Sequence, residues 1–470
     1  MAESFIPLTT SNLGGSISSI TSAVDTNFST LSTKLNDVLS LVGNTPNKMI
    51  SNLDMNSNSI LNLPFPSTST SPVRLGDITN NTGVVGAPGP TGPQGPAGIG
   101  NFGISVLSYG ANGNGSADNY AAFTAALAVA ALSPGTDIYV PSGTYILGQQ
   151  ILIPANVGII GNSDSILKAS GSNTTGVLLL EAGNNYIRNI TLDGGSGATA
   201  FDLVVVFSTG IMTNVVFENC TIQNNFGIGI ELSGGSSSGH GLQNSGVRNC
   251  RFFNIGNYTG VTTGSRSQCI AFSNGTLSSN LSNFAINNYF DQMGLDCISI
   301  GNQTNFLCSG NRMKNQAQLG GATSGGGVYV TGCVNVTVSN NIINTMGGNA
   351  IDTISSTGLV IIGNIISNSG ACGIGTFGNT NVVIANNYSI NNWQSALYTF
   401  SAGITATGPG SNILITDNIC ADTQGSPTQQ YGVQYITSYG SITNLVVTLS
   451  NVTSGNVVAG IQNTISQPAY

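Results

Sequence analysis

Charge is the scarcest property of this chain. Of its 470 residues only 6% are charged, 10 of them Lys or Arg and 18 Asp or Glu, and the net charge is −8. An average globular protein carries roughly 25% charged residues. Ten scattered basic residues argue against nucleic-acid binding. No apolar run approaches the length of a membrane-spanning helix, so no membrane insertion is expected. The N-terminal MAESFIPLTT has neither a positive n-region nor a long apolar run, so no signal peptide is expected. The eight cysteines, at 220, 250, 269, 297, 308, 333, 372 and 420, lack CxxC spacing, which argues against zinc. They sit in strand-like runs such as DCISI and read as reduced core residues, with disulfides the alternative. No acidic cluster suggests calcium, and no metal or cofactor is expected. His240, the sole histidine, lies in SGGSSSGHG and reads as a loop residue.

What is abundant is glycine, 63 residues, together with Asn, Ser and Thr. With 40% hydrophobic residues and a modest net charge, the chain does not have the composition of a disordered one. It suits a β-rich solenoid with Gly turns. An uncharged, hydroxyl- and amide-rich surface suits a glycan, though many solenoids look this way.

Three features precede the solenoid. Residues 14 to 42 carry Ile17, Ile20, Val24, Phe28, Leu31, Leu35, Val38 and Val42 at coiled-coil spacing with one stutter. This predicts a short three-stranded bundle, a lone amphipathic helix being the alternative. Residues 86 to 100 read GAPGPTGPQGPAGIG, with Gly at 86, 89, 92, 95 and 98. Only glycine fits the crowded axis of a collagen triple helix, so strict phase predicts a homotrimer, against a Pro/Gly linker that never winds. Between them stand Met49, Leu53, Asp54, Met55, Asn56, Ile60, Leu61, Asn62, Leu63 and Pro64, then Arg74-Leu75. This stretch resembles the virion-anchoring segment of bacteriophage tail fibres and tail spikes. The resemblance implies attachment to phage tail or adaptor proteins, hence location in the virion tail after synthesis in the host cytoplasm.

After the triplets, SVLSYGANGNGSADNYAAFTAALAVAA predicts a helix capped by Asp118, with Phe123, Leu127 and Leu132 on its apolar face. DIYVPSGTYILGQQILIP predicts two strands around a PSG turn. Together these resemble the start of the pectate-lyase-superfamily domain of tail spikes and polysaccharide-degrading enzymes, which implies a helix closing the mouth of a right-handed parallel β-helix. Asn114 stands where that family usually has an acidic residue.

The chain then repeats. Asn341, Asn364 and Asn387 are spaced 23 residues apart, each after a V-x-I-like run. Alternating apolar residues would point into a solenoid, and the Asn at each bend could bond its copies in neighbouring rungs. Stacking buries a core that no single rung could. The expected fold is all-β, a right-handed parallel β-helix. The expected organisation is 1–46 helical or coiled coil, 47–85 virion anchor, 86–100 collagen-like neck, 101–440 β-helix with its capping helix, and 441–470 last rung and C-terminal clasp.

Aligning the rungs on Ile230, Ile298, Val328, Ile351 and Ile374 puts Glu231, Ser299, Tyr329, Asp352 and Gly375 in one outward column. Two residues earlier the rungs carry Ile228, Asp296, Gly326, Asn349 and Cys372, with one further rung, SQCIAF, between those of Glu231 and Asp296. Glu231, Asp296 and Asp352 therefore fall two rungs apart, or roughly 10 Å at the inter-strand spacing. Inverting glycosidases hold their two carboxyls about 6.5–9.5 Å apart. The candidate catalytic residues are Asp296 with Glu231 or Asp352, and the candidate sugar-binding residues are Tyr329 and Asn349. The alternative is that these carboxylates only solvate a neutral surface. MGLDCISIGN resembles the polygalacturonase D-D-C-I-x-I rung, but Leu295 replaces its first Asp, and Gly239-His240-Gly241 precedes the rung where that family's GHG follows it. Arg248, Arg251 and Arg266 could hold an anionic glycan or pair with Glu218 and Glu231. The resemblances imply a tail spike or fibre that binds bacterial capsule or lipopolysaccharide and cleaves it, a hydrolase being favoured over a lyase. A binding-only adhesin on the same scaffold, and a secreted bacterial pectin-degrading enzyme, are the alternatives.

Overall fold

Alternation of apolar and polar residues, repeated rung after rung, builds three long parallel sheets in the computed structural model of the chain. It describes residues 17–36, 103–195, 202–235, 237, 239–256, 267–316, 326–395, 400–448 and 450–464. The chain divides into two units, Met1–Gly92 and Pro93–Tyr470. The first contains an α-helix, Ile17–Asn36, in which Phe28 and Leu31 are exposed. The end of the seam (Val38 and Val42), the anchor-like stretch 47–85 and the triplets 86–100 lie outside the described residues.

In the second unit, sheets of 13, 13 and 12 strands each take one strand from nearly every rung. One rung runs through Val334–Ser339 on the first sheet, Ile342–Asn344 on the second and Ile351–Ile354 on the third. Thr357–Ile362 then returns to the first sheet and pairs in parallel with Val334–Ser339. The inward column of the third sheet runs Ile230, Ile270, Ile298, Val328, Ile351, Ile374, Ile404, all fully buried. Aromatic residues pack against one another in the core, with Phe252 stacked on Phe290 at 4.9 Å and Phe272 edge-on to Phe306 at 4.7 Å.

Asparagine makes the corners. Asn340 takes φ 55° and Asn386 φ 54°, a left-handed bend that asparagine tolerates better than most residues. The next residue turns its amide inward. Asn341 Nδ2 donates to Asn364 Oδ1, Asn364 to Asn387, and Asn387 to Asn418, each at 2.9 Å. The same Oδ1 atoms accept the backbone N–H of the preceding rung. A buried amide with its donors and acceptor filled avoids the cost of desolvation and fixes the register between rungs. All eight cysteines are free and buried.

The N-terminal mouth is closed by a helix, Tyr120–Ala131. Phe123 and Leu127 are buried, but Leu132 is 82% exposed, because the helix ends before it and Leu132 is its C-cap. Asp118 stands one residue ahead of the N-cap, Asn119, and its Oδ1 accepts from the N–H of Tyr120 and of Gly148. The PSG region gives three strands rather than two, Ile138–Val140, Gly143–Leu147 and Ile151–Ile153. They divide among the three sheets, so this stretch is already a rung. A last rung closes with Ala459–Thr464, and residues 465–470 lie outside the described residues.

Candidate functional site

The third sheet has one outward column whose members differ in what reaches them. In rung order it reads Val205, Glu231, Ala271, Ser299, Tyr329, Asp352, Gly375, Thr405, Gln434. Glu231 and Ala271 are buried at one end, and Gly375, Thr405 and Gln434 at the other. Ser299, Tyr329 and Asp352, on three successive rungs, keep partial contact with solvent. Val205, at the start of the column, is also half-buried, and between the buried residues on either side the column is open at these three rungs.

Asp296 enters that opening from the bend before Ile298. The N–H of Gly326, one rung on, donates to Asp296 Oδ1 at 2.9 Å. Gly326 is required there, since a Cβ would collide with the carbonyl of Asn349. Burial pushes the Asp296 carboxyl up to about 7; the Gly326 N–H pulls it down and the negative charge of Asp352 pushes it up. Burial likewise raises Asp352 to about 6, against the lowering effect of hydrogen bonds from Asn349 and the Thr353 backbone. One Asp352 oxygen, Oδ1, is buried and has no hydrogen-bond partner among the described residues. Gly375 on the next rung admits the Phe377 ring, which a Cβ there would meet at 2.7 Å, with Asp352 Oδ1 at 3.3 Å. Tyr329 stands on the rung between the two acids. Burial raises its hydroxyl, hydrogen bonding with Thr331 lowers it, and the charges of Asp352 and Asp296 raise it further.

Asn349 ties this group to the next rung. It bonds the Asp352 carboxylate, while its Oδ1 accepts from the Cys372 N–H at 3.1 Å and lies 3.0 Å from the Cys372 thiol. That thiol is raised by burial first and then by Asp352. The structure thus groups Asp296, Tyr329, Asn349 and Asp352. Glu231 lies two rungs before Ser299, is only 4% exposed, and accepts from Ser273 Oγ at 2.9 Å. Of the arginines, Arg248 pairs with Glu218 at 2.9 Å, Arg251 lies on the second sheet, and Arg266 is outside the described residues. Gly326 and Gly375 gave no signal in the sequence beyond their column positions. Their part is to admit the Asn349 carbonyl and the Phe377 ring, which only the stacked rungs reveal.

A family model described as "Right handed beta helix region" matches residues 296–468. The tail spike protein of Shigella phage Sf6 is 32% identical over 132 residues, which cover 25% of this chain and 21% of that protein. The chain therefore spans only about a fifth of the length of that relative. Among solved structures, the Dettilon tailspike protein superposes with a TM-score of 0.58 at 14% identity, covering 76% of this chain and 68% of that one. A double mutant of the tailspike protein of E. coli bacteriophage HK620, in complex with a pentasaccharide, gives 0.58 at 16% identity, with 75% and 67% covered. These likenesses, with the parallel stacking seen here, establish a right-handed parallel β-helix of the kind carried by phage tail spikes.

Proposed function

We propose that this relative of phage tail spikes is a virion-borne depolymerase that hydrolyses a bacterial surface polysaccharide at the opening formed by Asp296, Tyr329 and Asp352. The observation that carries the reading is the pair of half-covered acids two rungs apart, with a tyrosine between them and one carboxylate oxygen left without a partner. An unpaired buried carboxylate oxygen is costly, and such sites concentrate where a group acts on a ligand.

Chemistry follows from the two environments. Near neutral pH the acid raised to about 7 retains its proton better than the one raised to about 6. Asp296 would then protonate the departing glycosidic oxygen, and Asp352 would draw a proton from the attacking water. Two rungs set the backbones about 9.6 Å apart, and side chains leaning toward each other would bring the carboxyls into the range of about 6.5–9.5 Å that leaves room for a water in inversion. Tyr329 offers its ring to the sugar, and Asn349 holds the Asp352 carboxylate. Glu231 takes no part, being buried against Ser273.

The rest of the assembly belongs to the same proposal. Three copies would wind at the Gly triplets 86–100 and meet along the Ile17–Leu35 seam, whose Phe28 and Leu31 are exposed in the single chain. The segment 47–85 would join the tail or an adaptor protein. The similarity to the Sf6 tail spike and the pentasaccharide held by the HK620 protein support a glycan as the ligand.

The test is release of reducing ends from purified host capsule or lipopolysaccharide. The wild type should release them, and Asp296→Asn and Asp352→Asn should release them at least about a hundredfold more slowly while still binding the polymer. Binding without release by the wild type would make the protein an adhesin and leave the acids as surface.

A further inference from the structure

The second sheet carries a different outward surface. One of its outward columns reads Thr221, Arg251, Tyr289, Arg312 and the other Gln223, Phe253, Asp291, Lys314, on four successive rungs. Three of the ten basic residues of the chain thus fall within a span of three rungs of one face, Arg251 on the first and Arg312 and Lys314 on the third, in a protein of net charge −8. Beyond Arg312 the first column turns apolar, to Ile342, Ile365, Tyr388 and Ile419, so the positive charge is local. A cleft of about 330 Å³ opens here, lined by Thr221, Gln223, Arg251, Phe253, Tyr289 and Asp291.

Its parts are held in place. Lys314 Nζ lies 3.1 Å from Asp291 Oδ2, and Asn315 Nδ2 donates to Asp291 Oδ1 at 2.9 Å. The Arg251 guanidinium sits over the Tyr289 ring at 5.5 Å, and Lys314 over the same ring at 5.6 Å. Among the described residues no ion pair holds Arg251, which is exposed. Phe253, 42% exposed, presents an unusually large apolar ring to solvent between Gln223 and Asp291.

We infer that this cleft is a second glycan-binding site, distinct from the opening on the third sheet, and that it takes a carboxylate-bearing sugar. The Phe253 ring stacks against the C–H face of a pyranose. Thr221, Gln223 and Asp291 bond its hydroxyls, and Arg251 pairs with its carboxylate in the two-pronged geometry a guanidinium favours. Tyr289 beneath Arg251 keeps that side chain extended over the cleft. A phosphate would satisfy Arg251 but would leave Phe253 without a use, and the ring beside hydroxyl- and amide-bearing side chains favours a sugar.

Calorimetric titration of the full chain carrying Asp296→Asn, so that cleavage does not consume the ligand, tests this. The probes are hexamers of galacturonate, hyaluronan hexasaccharide and sialic acid hexamer, each against a neutral gluco-hexaose. At least one acidic probe should bind more tightly than the neutral one, and more weakly as salt is raised. Adding Arg251→Gln should cost about tenfold or more, as for a lost charged hydrogen bond. Phe253→Ser should weaken binding to a smaller extent. Lys168→Gln, a cation of the same sheet but three rungs before Phe253, should change it less than about twofold, since separated exposed charges are screened. The inference is overturned if none of the acidic probes binds, if the neutral probe binds equally well, or if Lys168→Gln weakens binding as much as Arg251→Gln does.

Discussion

The outer faces of the second and third sheets use the same backbone to opposite ends. On the third, acids are half-covered and their charge is opposed by burial, so Asp296 titrates near 7 and Asp352 near 6. On the second, Asp291 is also pushed up by burial, but Asn315, Lys314 and Tyr289 outweigh that and hold it below its ordinary value. A carboxyl without a cation nearby is available for proton transfer. A carboxyl held by Lys314 is a fixed hydrogen-bond acceptor. Identical rung geometry therefore gives a face suited to chemistry and a face suited to holding, and what decides between them is which side chains the register brings alongside.

The largest effect separates the two acids themselves. Each of Asp296→Asn and Asp352→Asn should slow cleavage of the natural polymer by about 10²–10⁴-fold. A nitrophenyl glycoside, whose leaving group needs no proton, should restore the rate of Asp296→Asn and not that of Asp352→Asn. Equal restoration of both would remove the assignment of roles.

Next is pH. Cleavage needs Asp352 ionised and Asp296 protonated, so kcat/KM should peak between about pH 6 and pH 7. It should fall about tenfold per pH unit on either side of that window. Binding in the second-sheet cleft, built on a carboxyl already held low, should show no such peak there. A common profile for both faces would erase the contrast.

Both faces rest on the same buried asparagines, so damage to these should not discriminate between them. Asn364→Ala removes the acceptor for Asn341 and leaves buried donors unfilled. It should cost about 1–3 kcal/mol in denaturant unfolding. Unchanged stability would mean that the ladder does not hold the register.

The effect confined to one face and one pH range is on stability. In the folded chain Asp296 ionises near 7 and not near its ordinary 3.8, so ionisation destabilises the fold as pH rises between those values. Asp296→Asn should therefore melt above the wild type near pH 8, by a free energy of at most about 4 kcal/mol, and match it near pH 4. An Asn variant that is less stable at pH 8 would show that the carboxylate is not opposed by burial.

How much of this the sequence held depends on the distance over which each signal acts. The spacing of Asn341, Asn364 and Asn387 and the alternation around Ile351 were enough for the rung register, and the pairing Tyr329 to Asp352 to Gly375 is the aligned column. Leu132 was misplaced because an apolar residue at helical spacing does not show where the helix stops. Glu231 shares its column with Asp352, and alignment alone does not show that it is buried and bonded to Ser273. The burial of Thr405 and Gln434, the Phe377 ring against Gly375 and the alignment of Arg251 with Arg312 depend on rungs of unequal length stacked in register. Arg251 and Arg312 are far apart in sequence, and only the stacking puts them two rungs apart in one column, with Tyr289 between them.

The most direct test of the central proposal is proton NMR of the reducing end formed in the first turnovers on the purified host polysaccharide. Two acids spaced two rungs apart predict a product whose anomeric configuration is inverted, with no signal from Asp296→Asn or Asp352→Asn. A product of retained configuration, an unsaturated sugar, or undiminished release by Asp352→Asn would contradict it.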